Sequence, residues 1–404
     1  MNNKINDIKD EMSKIYKTGE ESVKAELLIK NGHVYDPAAG IDFVGNVAVN
    51  DGIISGLDTG ETVTGEKEID ATGYMVVPGL IDIHTHCNWL GNYIGMPADL
   101  AGVPAGVTAT IDAGSSGVSN YRALFRYLDT CVTKTKIMLH VSAGGQIMTK
   151  QFSENTDPKV WNRKLFQRAF ERYGNRIVGF KIRMSKSVVG EMGMYPLEEA
   201  VKLAESFSTR LFVHSTNPPG TMDELVSYLR KGDVLCHMYH GEGENILGKN
   251  GITPGIQKAR ERGVIFDVSQ GQGNFSIPIA MEAIKEGFLP DTISTDLNIE
   301  NWNHPYIFSL LLTMSKLMAM GMSFEEVIRR VTSTAAEIYG EAGKMGTLAE
   351  GTCADITILE CQQKEVLFRD KYHNELIGNS LLMPMATIID GQLFYCSGEM
   401  MTIR

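Results

Sequence analysis

Eight short apolar runs, each closing on a polar residue and each followed by a longer helical stretch, constrain this 404-residue chain more than anything else in it. They are GLIDIHTH, VTATIDAG, IMLHVSAG, IVGFKIR, LFVHST, DVLCHM, VIFDVSQ and TISTD. Their terminal polar residues, His84, Asp112, His140, Lys181, His214, His237, Asp267 and Asp296, are separated by 28, 28, 41, 33, 23, 30 and 29 positions. Such spacing suits one strand, one helix and two loops per unit, and eight units close an α/β (β/α)8 TIM barrel. Capping signatures support the helices: Thr221 with Glu224, and Ser323 with Glu326, the second opening one helix from Phe324 to Tyr339 with Gly340 as its C-terminal stop.

Outside this alternation the texture is β. AELLIKNGHVYD and VGNVAVNDGIISGLD carry Asn31-Gly32 and Asp51-Gly52 as hairpin dipeptides, and ATIIDGQLFY carries Asp390-Gly391. The two ends are therefore expected to build one small β-domain from residues 25–77 and 345–404. The barrel occupies residues 78–344, and residues 1–24 form a charged N-terminal extension.

Composition narrows the class. With 43% hydrophobic and 22% charged residues the chain has ample material for a large core, which excludes disorder. A formal charge of −11 without a basic block argues against nucleic acid and membrane surfaces as partners. Cys87, Cys131, Cys236, Cys353, Cys361 and Cys396 are scattered without a CxxC pair, and neither a signal-like segment nor an apolar span is present, so a cytoplasmic location is expected. No GxGxxG or P-loop motif and no GxSxG elbow occurs.

Chemistry in a barrel gathers at the carboxyl ends of its strands. His84 and His86, one residue apart, share a face of an extended chain; Lys181, His214, His237 and Asp296 end later strands. Imidazole and carboxylate suit zinc and other divalent ions, and a hydroxide bridging two such ions is a nucleophile at neutral pH. An interior lysine needs a partner or a modification. For Lys181 a salt bridge to Asp296 and a metal role are equal alternatives.

These residues resemble the amidohydrolase superfamily. PGLIDIHTH, from Pro78 to His86, is similar to its opening metal motif, and the order HxH, Lys, His, His, Asp is similar to its binuclear subtype. The resemblance implies a small-molecule hydrolase with two divalent ions, zinc by preference. His84 and His86 would hold the buried ion, His214 and His237 the exposed one, and carboxylated Lys181 both. Asp296 would be a ligand and the catalytic acid–base. It further implies a homo-oligomer. Within the superfamily, GVTATIDAGSSG, GFKIRMS and STDLN resemble the deacetylase-like branch often labelled dihydroorotase. Dihydroorotases usually carry an arginine two residues after HxH, where this chain has Asn88. Deacylation of an N-acyl or O-acyl acid is thus expected, with cyclic-amide hydrolysis and an inactive scaffold as alternatives.

Neighbouring residues add candidate substrate contacts. Arg183 shares a face with Lys181 and either clamps a carboxylate or makes a structural ion pair. His240 follows His237 by three positions, and Ser115 sits in a Gly-bounded loop that either lines the pocket or simply turns. Cys87 and Cys236, adjoining ligand positions, are expected to face away into the core.

Overall fold

The structure, a computed structural model, describes residues 24–58, 63–146, 154–302 and 304–400. The charged N-terminal extension thus lies outside the described residues, except for Lys24, which opens the first strand.

Strands β1 (Lys24–Asp36), β2 (Ile41–Asn50), β3 (Ile53–Leu57), β4 (Thr64–Asp70) and β5 (Met75–Pro78) come from the front of the chain. They join strands from its end in one eight-stranded sheet. β5 runs antiparallel to β15 (Ile356–Arg369), with Pro78 opposite Ile356; β15 pairs with β16 (Glu375–Ile389), and β16 with β17 (Gln392–Cys396). Leu27, Ile29 and Val49 from one end meet Ile356, Ile358 and Ile388 from the other in a single buried cluster. Asp51-Gly52 and Asp390-Gly391 make the expected turns, all four residues having positive φ. Asn31-Gly32 does not. β1 runs straight through it, and Asn31, at φ 59°, lies in a bulge where the pairing with β2 slips between Ile29 and Gly32.

The barrel follows. β6 (Leu80–Thr85), β7 (Val107–Asp112), β8 (Lys134–His140), β9 (Ile177–Arg183), β10 (Arg210–His214) and β11 (Val234–Cys236) pair in parallel order. After the two-residue pair β12 (Leu247–Gly248) and β13 (Gly251–Ile252), β14 (Ile265–Phe266) extends that sheet. The eighth run, TISTD, is not a regular strand. It closes the ring by bridges on both sides, Asp267 to Thr292 and Thr85 to Leu297, and by hydrogen bonds such as Asp296 N to His84 O at 2.7 Å. Helices surround the sheet, and their apolar faces merge with the strands in the largest buried cluster.

Two helical expectations need adjusting. Ser323 and Glu326 form a complete capping box, yet the helix it opens ends at Val331 and a second runs Ser333–Tyr339 to Gly340. Thr332, at φ −126° and ψ −97°, separates them and bonds its hydroxyl to Ile328 O at 2.7 Å, the competition with helix geometry that a buried threonine invites. No helix among the described residues is long and apolar enough to cross a membrane.

Candidate active site

Five strand ends deliver the six expected donors to one place. His84 and His86 project from the end of β6, Lys181 from β9, His214 from β10, His237 from just past β11, and Asp296 from the eighth run. All six are buried. Asp296 Oδ1 lies 3.0 Å from His86 Nε2 and 3.6 Å from His84 Nε2. The His237 ring stands 5.1 Å from that of His84 and 4.3 Å from that of His214. Lys181 Nζ approaches His84 Nε2 at 3.3 Å. The Lys181 stem passes β7 only because Gly114 has no side chain: a Cβ there, at φ +85°, would meet Lys181 Cβ at 2.8 Å.

The surrounding polar groups fix these side chains. Asp82 accepts from Thr295 Oγ1 at 2.6 Å and from the amides of His84 and Thr295 at 3.2 Å, which locks the first strand to the eighth. Burial pushes the Asp82 carboxyl up to about 7. Ser115 Oγ meets His86 Nδ1 at 2.8 Å, and Ser269 O meets His237 Nδ1 at 2.6 Å. The Ser269 carbonyl can only accept, so His237 carries its hydrogen on Nδ1 and turns its Nε2 lone pair to the centre, while Ser115 and Asp296 fix the orientation of the His86 ring. His237 and Asp296 have φ of 63° and 56°, left-handed values that only a constrained backbone holds in such residues.

Protonation follows from burial and neighbours. Desolvation holds His84, His214 and His237 well below the ordinary imidazole range, against the raising effect of Asp296 on His84 and His237, so they are neutral at pH 7. Burial opposes ionisation of Asp296, but the His86 hydrogen bond and the imidazoles of His84 and His237 outweigh it and keep the carboxyl below its usual range. Neutral imidazoles and an ionised carboxylate are the states a divalent cation requires, so the donor set fits a metal centre.

Two groups of described residues have the convergence to hold an ion: His84, His86 and Asp296, and His84, Cys236 and Asp267. The first is the better. Burial raises the Cys236 thiol to about 11, and the Asp267 carboxylate already accepts from Ser269, Thr292 and Ser294. Cys236 packs in the core as expected, yet it also reaches Lys181. Its Sγ lies 3.6 Å from Lys181 Nζ, because the chain turns left-handed at the next residue, His237. Lys181 is not bridged to Asp296: its ammonium meets an imidazole and a thiol rather than a carboxylate.

Above the donors opens a cavity of about 310 Å³ lined by His84, His86, His214, His237 and Asp296 and by polar residues including Arg183, Asn217, Asn274 and Asn301. Arg183 reaches it while pairing with buried Glu154 at 2.6 Å. Ser115 lies behind His86, and His240 is buried away from the cavity lining. Asn274, which donates to Asp296 Oδ2 at 3.1 Å, and Glu154 escaped the sequence reading. The rule that barrel loops after strands build the site pointed at the QGQGN loop that carries Asn274, without naming the residue.

A parallel barrel whose strand ends converge buried imidazoles and a carboxylate under a small polar cavity defines a metal-dependent hydrolase. The chain belongs to the amidohydrolase family, whose profile matches residues 75–393. It is 32% identical over 326 residues to a deacetylase of Enterococcus faecalis, covering 80% of this chain and 87% of that one. Among solved structures it is similar to an adenine deaminase, with TM-score 0.84 and 30% identity over 92% of this chain and 100% of the other. It is also similar to a dihydroorotase, with TM-score 0.82 and 26% identity over 92% and 98%.

Proposed function

We propose that this hydrolase removes the acyl group from an N-acyl or O-acyl small acid, with Asp296 carrying the proton. The observation that carries the reading is the ionised Asp296 carboxylate in the lining of a small polar cavity, with one oxygen among the imidazoles and the other accepting from Asn274. His84, His86 and Asp296 would hold one divalent ion and His214 and His237 a second. Lys181, carboxylated on Nζ by carbon dioxide, would serve both. The mixed imidazole and carboxylate set suits zinc. Two such ions, when bound, supply an activated water and polarise the substrate carbonyl.

The chain's own residues do the rest. The cavity admits a small polar molecule and turns Arg183 and side-chain amides toward it. Asp296 takes the proton of the attacking water and passes it to the leaving nitrogen or oxygen, so that one water is consumed and an acid and an amine or alcohol are released. Likeness to a deacetylase supports acyl transfer to water. Ring opening of a cyclic amide is the second reading, supported by likeness to a dihydroorotase, while Asn88 lacks the charge to grip that substrate's carboxylate. We place the enzyme in the cytoplasm as a homo-oligomer, its six cysteines being unpaired.

Purified protein loaded with zinc and bicarbonate is expected to hold about two ions per chain and to hydrolyse N-acetyl or O-acetyl acids faster than dihydroorotate or hydantoins. Asp296→Asn should keep most of its metal and lose about 10³-fold in turnover. Near-normal turnover in that variant overturns the role of Asp296, and faster ring opening selects the second reading.

A further inference from the structure

Asp296 is held at almost every atom but one. Its amide donates to His84 O at 2.7 Å, and its carbonyl accepts from Asn301 Nδ2 at 2.8 Å and Asn298 Nδ2 at 3.2 Å, so the backbone is clamped in its left-handed turn. Oδ1 is set among the imidazoles of His86 and His84. Rotation about Cβ–Cγ carries both oxygens together, so a hold on Oδ2 also keeps Oδ1 among the imidazoles. Asn274 Nδ2 reaches Oδ2 at 3.1 Å from the loop that follows the seventh strand run. A carboxylate accepts and does not donate, so the amide must present its NH2 group.

The loop is shaped for this contact. It leaves the barrel through Gln270 N to Ser294 O at 3.0 Å and Gly271 N to Thr295 O at 2.9 Å, bonds to the same run that carries Asp296. Gly271 then turns at φ +52°, and a Cβ on it would lie 2.6 Å from both Asn274 Nδ2 and Asp296 Oδ2. A glycine is thus required where the two side chains meet, and Asn274 itself borders the cavity.

We infer that Asn274 is the positioning residue of the proton carrier: its amide holds Asp296 Oδ2 so that the oxygen's free lone pair faces the scissile bond. The inference rests on the assignment of Asp296 as that carrier. Oδ1 is committed to the ligand side, which leaves Oδ2 to accept one proton from the attacking water and return it to the departing nitrogen or oxygen. When the free lone pair of Oδ2 takes up the proton, the oxygen loses its charge and the bond that it accepts from Asn274 weakens, and this loss favours release of the proton to the leaving group. A leaving group that departs as a stable anion needs no such delivery, whereas an amine does.

The test compares leaving groups. Asn274→Leu keeps the side chain's shape and removes the donor. It is measured beside the native chain and Asp296→Asn on an N-acetyl amino acid and on an acetyl ester of an acidic phenol. Metal per chain and the thermal midpoint are read for each protein, and the Asp296 carboxylate is located in a crystal structure of Asn274→Leu. The expected result is a fall in kcat of about 30-fold on the amide, less than about 3-fold on the phenol ester, and KM changed less than about 3-fold. Metal content should be unchanged and the carboxylate rotated. Equal losses on both substrates, an undiminished amide rate or an unmoved carboxylate overturns the inference while leaving the role of Asp296 intact. If Asp296→Asn retains amide turnover, or the native chain cleaves neither acyl compound, the functional reading fails and the inference falls with it.

Discussion

At the scale of single residues, the molecule keeps its irregular backbone where the donors are. His237 and Asp296 both take positive φ, at a cost of about 1–3 kcal/mol each, and both are tied down by hydrogen bonds at once. A buried ammonium lies elsewhere: Lys316 donates to Tyr306 O at 2.6 Å and Arg369 O at 3.3 Å, and burial lowers it from 10.5 to about 7. The folded chain therefore gives up this proton near pH 7 and the unfolded chain near 10.5, so the unfolded state binds more protons between them and stability rises with pH across that window. Lys316→Met should abolish the rise, worth roughly 4 kcal/mol from pH 7 to pH 10. Urea unfolding of both proteins at several pH values checks it, and parallel curves would count against it.

Which residues meet at the centre was readable because strand ends are where periodicity stops on a polar residue, as at His84, Lys181 and His214. Asn274 and Glu154 were not, because loop residues obey no period. Cys236 packs in the core as expected, among Ile81, Ile83 and Phe212, but it also reaches Lys181, because alternation assumes extended backbone on both sides and His237 breaks it.

At the scale of elements, local chemistry and long-range closure carry different weights. The helix Phe324–Val331 is opened by reciprocal bonds, Glu326 N to Ser323 Oγ at 3.2 Å and Ser323 N to Glu326 Oε2 at 2.8 Å. Ser323→Ala should cost about 1 kcal/mol and Ser323→Asp much less, read as shifts of the denaturation midpoint; equal shifts would show that the cap adds nothing. Turn dipeptides at Asp51 and Asp390 were legible because Asp-Gly favours positive φ at both positions, yet the same local preference at Asn31 was spent on a bulge inside a continuous strand. The eighth run illustrates the opposite case. TISTD has the β-branched residues of a strand yet forms only isolated bridges, and its place is fixed by the gap between β6 and the seventh run.

At the scale of the whole molecule, the six donors of the centre come from five separate segments of the barrel, so ions bound by them would tie those segments together only in the folded state. Exhaustive chelation is expected to lower the calorimetric midpoint by several degrees, with recovery on adding zinc and bicarbonate, since a ligand selective for the native state stabilises it by RT ln(1 + [L]/Kd). An unchanged midpoint would mean that the folded chain gains nothing from the ions. The terminal sheet constrains the molecule in time as well. β5 lies between β1 and β15, and β15 is the last of the three to be made, so a ribosome delivers the first five strands long before the partner that covers their edge. Until Ile356 arrives, the edge of Met75–Pro78 is open to any other extended chain. Synthesis of this enzyme thus passes through a stage in which the barrel is nearly complete and its platform is not, and slowed translation or loss of the last fifty residues should yield aggregates rather than a smaller working enzyme.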